Sequence, residues 1–292
     1  MSQLAGDTTG KMMMTAVISE LISYPVKGCA GVPLNETALT YAGLAHDRSF
    51  MVVDQDGTFR TQRRDRRLAI IRPAIDTSGE RLTLRAPGFE DMDIEVDLNS
   101  PRQEVDLFGR RYRGIDQGEA PAEWLSSVLG SPSRLVRVPP EHDRVTGGRT
   151  PGTSGYADSS AVHAISRATL NELNRRLNEP SIPMSRFRPN IVIEGWDEPH
   201  LEDRAHRMVV GDVELGYAKL AIRCAVTLVD QQRGEKSGPE PLRTLATYRR
   251  AAAGGVAFGA KFSVLRPGKL TVGDTLTVPI WTDSQLNELQ PT

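Results

Sequence analysis

One thiol in this 292-residue chain is flanked by residues that suit it to metal binding. Cys224 lies in Arg223-Cys224-Ala225-Val226-Thr227-Leu228-Val229-Asp230, an apolar, β-prone run entered through a guanidinium and left through a carboxylate. The thiolate is the form of cysteine that binds polarizable transition metals, and an adjacent cation favours negative charge on sulfur. Taken alone, the residue reads first as a small buried hydrophobe. The rest of the chain changes that balance.

Three more basic residues stand at the edges of strand-like apolar segments: Lys27 in Tyr24-Pro25-Val26-Lys27-Gly28-Cys29, Arg48 in His46-Asp47-Arg48-Ser49-Phe50, and Arg188 in Arg186-Phe187-Arg188-Pro189-Asn190-Ile191. Each alone reads as ordinary surface charge. Pro241-Leu242-Arg243-Thr244-Leu245, Tyr248-Arg249 and Gly268-Lys269-Leu270-Thr271-Val272-Gly273-Asp274 follow in order. In this order and spacing, from about residue 16 to about residue 280, the set resembles the MOSC family, named for the C-terminal domain of molybdenum cofactor sulfurases. The likeness is to two-part members with an N-terminal β-barrel region, such as the amidoxime-reducing components.

The resemblance implies a molybdenum ion held by the dithiolene of an organic pterin, with Cys224 as the protein's sulfur ligand. Lys27, Arg48, Arg188 and Arg223 match positions that would hold the pterin's anionic tail, a task that needs fixed cations and oriented N–H donors. In Gly155-Tyr156-Ala157-Asp158-Ser159-Ser160, Ser159 and Ser160 match cofactor donors and Asp158 a proton carrier near the metal. Asp158 reads equally as the cap of a turn. Asn190 matches a cofactor-side amide. Gly28 and Ile222 stand where relatives carry serine, so backbone donors are expected to replace two hydroxyls there.

The implied activity is that of an oxidoreductase that removes oxygen from a small N-hydroxylated or N-oxide substrate, the cofactor supplying the redox chemistry. Some relatives carry a fused ferredoxin domain with a C-x₄-C-x₂-C cluster. No such cluster occurs here, so the electrons are expected from a separate partner, a ferredoxin or small cytochrome with its reductase. The alternatives are a non-catalytic molybdenum cofactor carrier and a sulfur-transfer protein in which Cys224 carries persulfide.

Composition removes other classes. With 36 Lys+Arg against 37 Asp+Glu the formal charge is -1, which argues against an undirected nucleic-acid or acidic-membrane surface. Two cysteines, Cys29 and Cys224, are too few for a disulfide framework and suit a reducing compartment. The five histidines show no H-E-x-x-H or Cys/His spacing, which disfavours a zinc hydrolase, and no pyridoxal phosphate site is expected. No run approaches the 18 or so apolar residues of a membrane helix, and Met1 to Lys11 lacks a secretory apolar stretch, so the expectation is a cytoplasmic protein without a membrane partner.

The elements that must position these groups are mostly strands. Ala16 to Tyr24, Arg48 to Asp54, Phe59 to Gln62, Leu68 to Ile75 and Arg81 to Ala86 are β-prone, and Asp56-Gly57 signals a primed hairpin turn. Pro121 to Leu129, closed by Gly130, reads as a helix. Ser166 to Asn178, with Leu170, Leu173 and Leu177 in a stripe and Ser166 as N-cap, reads as another, and Leu242, Leu245 and Tyr248 mark a third. Ile191 to Glu194, Met208 to Val210, Val213 to Tyr217, Leu220 to Val229 and Leu270 to Val278 complete the strands. Thr146 to Gly155 reads as a mobile connector, and Arg60, Arg63, Arg64, Arg66 and Arg67 as a solvated turn; by the resemblance, Arg63 is expected to face the pocket.

The fold expected is α+β, mainly β: an N-terminal β-barrel-like domain (14–135), then a MOSC β-barrel domain with peripheral helices (136–282), between tails at 1–13 and 283–292.

Overall fold

Ala16–Ser23 carries the closure of the fold. Its burial pattern alternates up to Ile18, loses phase at Ser19-Glu20, and resumes with Leu21 inward. A β-bulge between Ile18 and Glu20 takes up the shift, so that Ile18 and Leu21 both face the core. This strand pairs antiparallel with Ile191–Glu194 on one side and with Thr275–Trp281 on the other.

Seven strands thereby close into a barrel: Ile191–Glu194, Val162–Ser166, Val256–Arg266, Val213–Arg223, Ala205–Val210, Thr275–Trp281 and Ala16–Ser23, which returns to the first. The computed structural model describes residues 15–177 and 180–288. The expected tail at 1–13 and residues 289–292 of the expected C-terminal tail lie outside the described residues. Ile18, Leu21, Val162, Ile193, Met208, Leu215, Tyr217 and Phe262 fill the barrel interior. Helix Arg167–Arg176 links the parallel strands Val162–Ser166 and Ile191–Glu194, and the Ser166 hydroxyl caps it by accepting from Thr169 N.

The other unit is a five-stranded sheet in the order Arg102–Leu107, Arg110–Asp116, Arg134–Arg137, Phe50–Val53, Val26–Lys27, with a three-stranded sheet of Arg72–Ile75, Arg81–Arg85 and Met92–Glu95. Phe50, Val52, Leu68, Leu82, Leu84, Leu125 and Leu135 form its core, covered by helix Glu119–Leu129, which ends on the left-handed Gly130. Strand Arg134–Arg137 spans the expected division between residues 135 and 136, and its pairing belongs to this sheet.

Several elements differ from the sequence reading. Leu68 to Ile75 is not one strand: Arg66–Ile70 forms a 3-10 turn that buries Leu68 and Ala69, and the strand begins at Arg72. Phe59 to Gln62 joins the sheet only through single bridges at Thr58 and Phe59. The Asp56-Gly57 turn is there, but Gly57 alone has positive φ (75°), with Gly57 N donating to Asp54 O, so it is an ordinary turn closed by a left-handed glycine. Residues 146 to 155 are held down as a short hairpin: Arg149 N donates to Ala218 O and the Ser263 hydroxyl to Thr150 O. Val213 to Arg223 runs as one strand and stops before Cys224.

Candidate functional site

Cys224 is placed by a chain reversal. Its carbonyl accepts both the amide and the hydroxyl of buried Thr227, each at 3.0 Å, which folds Ala225–Leu228 into a 3-10 turn. The thiol is left half-buried at the end of a barrel strand, where it lines a cavity of about 430 Å³. Lys27, Gly28, Arg48, Asp158, Ser159, Ser160, Arg188, Asn190, Ile222 and Arg223 line the same cavity. All eleven residues singled out in the sequence therefore meet at one place, drawn from both units.

Arg48 and Arg188 share a support. Each guanidinium lies 4.3 Å from the centroid of the Tyr24 ring, a cation–π distance. Both have left-handed backbones, with φ of 48° and 57°, a conformation that costs a non-glycine residue of order 1 kcal/mol or more and tends to persist where function requires it. Asp47 fixes Arg48 through a carboxylate–guanidinium bond and also accepts Tyr24 N at 2.8 Å. The Arg48 carbonyl accepts Tyr156 N at 2.8 Å, and a Cβ on Gly155 would lie 2.7 Å from that carbonyl, so glycine is required there.

Arg188 donates to the Gln231 side chain at 3.2 Å, and Gln231 exchanges hydrogen bonds with Gln62 across the two units. Arg223 donates to Phe187 O at 2.7 Å and approaches His163 Nε2 at 3.4 Å, while His163 Nδ1 lies 3.4 Å from Arg188 O. Asn190 spends its amide within the protein, donating to Ile22 O and Asp47 and accepting from His163 N. It positions its neighbours and presents no free side-chain donor to the cavity.

Lys27 pairs with Asp158 beneath the rings of Phe59 and Phe108. Burial pulls the lysine down, partly countered by Asp158. For Asp158, burial alone would raise the carboxyl, but the Lys27 ammonium and its hydrogen bond outweigh that and hold it well below the usual carboxylate range. Burial lowers Arg223 to about 10. It also drives His163 well below the usual imidazole value, with Lys261 and Arg223 adding to the effect, so the ring is neutral and accepts from Arg223.

Sequence reading missed Lys261, Lys219 and His163. These occupy one register across three adjacent strands, His163 opposite Lys261 and Lys261 opposite Lys219, and all line the cavity. Burial, then Arg223 and Arg48, bring Lys261 down to about 7. Arg60 and Arg63 also line the cavity, the latter as the resemblance implied, and Arg63, Arg64, Arg66 and Arg67 are all exposed.

A bound anion fits this wall. Eight basic side chains line it, and Asp158 and Asp47 are already paired with Lys27 and Arg48. Ser160 Oγ and Arg223 Nε are buried there without a hydrogen-bond partner among the described residues, a state that costs about 1–3 kcal/mol for each group unless a ligand relieves it. Among the described residues no group of three or more His, Cys, Asp or Glu is arranged to hold a metal ion.

Two families match in sequence: the MOSC N-terminal β-barrel domain over residues 15–132 and the MOSC domain over 151–277. The chain belongs to the MOSC family. This MOSC chain is 35% identical over 283 residues to the human "Mitochondrial amidoxime-reducing component 1", covering 90% of this chain and 83% of the relative. It is 35% identical over 290 residues to the rat "Mitochondrial amidoxime reducing component 2", with the same two coverages. It is 30% identical to the rice "Molybdenum cofactor sulfurase" over 88% of this chain and 33% of that protein. These relatives support a molybdenum-cofactor-associated function. Among the described residues, no helix is long and apolar enough to cross a membrane.

Proposed function

We propose that this MOSC chain binds a molybdenum cofactor in the cavity at Cys224 and reduces N-hydroxylated or N-oxide substrates. The observation that carries the reading is the convergence of Cys224 with eight basic side chains and two unpartnered buried donors in one cavity. The residues that would hold the group are Cys224 at the metal, and Arg48, Arg188, Arg223 and Ser160 at the pterin and its anionic tail. Once bound, the cofactor would supply the two electrons that accompany removal of the oxygen atom.

The chain's own residues handle placement and protons. Removing oxygen from an N-hydroxyl compound consumes two electrons and two protons and yields the amine and water. Asp158, kept ionised by Lys27, accepts a hydrogen bond from the substrate's N–H or O–H and orients it. Lys261, held in the same wall of the cavity, supplies one to the departing oxygen. The electrons come from a separate electron-transfer protein, a ferredoxin or small cytochrome with its reductase. The two unpaired cysteines suit a reducing compartment such as the cytoplasm.

The test is molybdenum and pterin analysis of purified protein, followed by benzamidoxime reduction with an artificial donor. Cofactor binding with turnover is the expected result. Cofactor that dissociates readily without turnover would instead indicate a carrier, and added sulfur on Cys224 by mass spectrometry a sulfur-transfer protein.

A further inference from the structure

Phe108 occupies a position that local chemistry disfavours. It is the first residue of the two-residue turn between Arg102–Leu107 and Arg110–Asp116, with Leu107 opposite Arg110. Phe108 and Gly109 have φ of 59° and 76°, the pair of positive values that a primed hairpin turn demands and that Asn-Gly meets without strain. A bulky aromatic residue in the left-handed region is an outlier. The ring is also 44% exposed, so burial does not compensate the backbone.

The strained ring has company and a direction. Its centroid lies 4.6 Å from that of Phe59, the planes tilted by 59°. Both rings line the cavity that holds Cys224. Asp106 anchors both: its carboxylate accepts Gly109 N at 3.1 Å, and its carbonyl accepts Phe59 N at 3.2 Å. Lys27 Nζ sits 5.0 Å from the Phe108 centroid and 5.7 Å from that of Phe59, its charge already met by Asp158. The two tilted rings thus form an aromatic corner of a cavity whose other residues include eight basic side chains.

We infer that Phe59 and Phe108 form an aromatic platform that selects planar, neutral, aryl-bearing N-hydroxylated substrates over small aliphatic ones. The inference deepens the reductase reading and rests on it for the substrate's N–O group, but the platform itself is a binding property. A planar ring docked on the pair gains stacking in a site that presents carbon to it. A small aliphatic compound reaches the metal-side groups without touching the rings.

The test is calorimetric titration of benzamidoxime and of acetamidoxime into oxidised, molybdenum-loaded protein without electron donor. Phe108→Ala should weaken benzamidoxime binding about tenfold, change acetamidoxime binding less than twofold, and leave the molybdenum content unaltered; Phe108→Tyr should restore benzamidoxime binding. Phe108→Asn, which suits the turn, should raise the melting temperature by about 2 °C while losing the same aryl affinity. Unchanged benzamidoxime affinity in Phe108→Ala, equal weakening of both ligands, or no binding of benzamidoxime by the wild type would overturn the platform. Loss of molybdenum from Phe108→Ala would also overturn it, because the rings would then serve the cofactor. Wild type that binds benzamidoxime through Phe108 without ever reducing it would support the platform and sink the reductase reading.

Discussion

The side-chain amide of Asn190 donates to the carboxylate of Asp47 at 3.0 Å, tying two residues 143 positions apart at the wall of the cavity. The same amide group donates to Ile22 O and the same carboxylate accepts Tyr24 N, so one contact registers the first barrel strand, the Arg48 segment and the Asn190 segment. Asn190→Ala would leave Asp47, Ile22 O and His163 N each short of a partner. We expect a loss of about 1–3 kcal/mol in urea unfolding, together with weaker cofactor retention because Arg48 loses its fixed carboxylate. Full stability and full retention would remove Asn190 from its positioning role.

Tyr24 should matter through its ring. Arg48 and Arg188 both rest on it at 4.3 Å. Tyr24→Phe keeps the face and should bind cofactor like the wild type. Tyr24→Ala removes a buried aromatic side chain, at a cost of about 3–5 kcal/mol, and frees two guanidiniums. Pterin content after gel filtration should fall in the alanine variant and hold in the phenylalanine one.

Gly155 lets the Asp158 loop approach Arg48. A Cβ there would lie 2.7 Å from the Arg48 carbonyl, so Gly155→Ala must push two backbones apart. The expected penalty is about 1–3 kcal/mol, with cofactor affinity reduced because both Arg48 and Asp158 shift. A melting curve coincident with the wild type would contradict the close approach.

Lys261 sets a pH dependence of the cofactor-free protein. Its folded value of about 7 lies below its ordinary 10.5, so between these values the unfolded chain binds more protons than the folded one. The lysine's contribution is therefore fully favourable above 10.5 and is lost as pH falls toward 7. Lys261→Met lacks that loss. The melting temperature of the variant relative to the wild type should rise as pH is lowered from 10 to 7, and a difference independent of pH would refute the assignment.

Much of the site was legible because its residues sit beside recognisable breaks: Lys27 before Gly28, Arg188 before Pro189, Arg223 beside Cys224. The barrel's closure was not, because Ala16–Ser23 reads as a local strand and nothing in its pattern names partners near residues 193 and 275. Lys261 and His163 were missed because Val256–Arg266 and Val162–Ser166 are buried on both faces and show no alternation. Gly259, with φ of 79° and a would-be Cβ 2.6 Å from Ile165, further disguises the first of these. A signal was present: each is a lone titratable residue inside an apolar run, Phe258-Gly259-Ala260-Lys261-Phe262 and Val162-His163-Ala164-Ile165. Phe108 escaped because a primed turn is read from Asn-Gly or Asp-Gly, and Phe-Gly does not announce one.

Molybdenum K-edge X-ray absorption of the wild type and of Cys224→Ser tests the central claim most directly, because it counts the sulfur atoms around the metal. The wild type should show the dithiolene sulfurs plus one more, and the serine variant should lose one sulfur and its benzamidoxime reductase activity while keeping the wild-type fold. Identical sulfur shells in the two proteins, or no molybdenum in the wild type, would contradict the account.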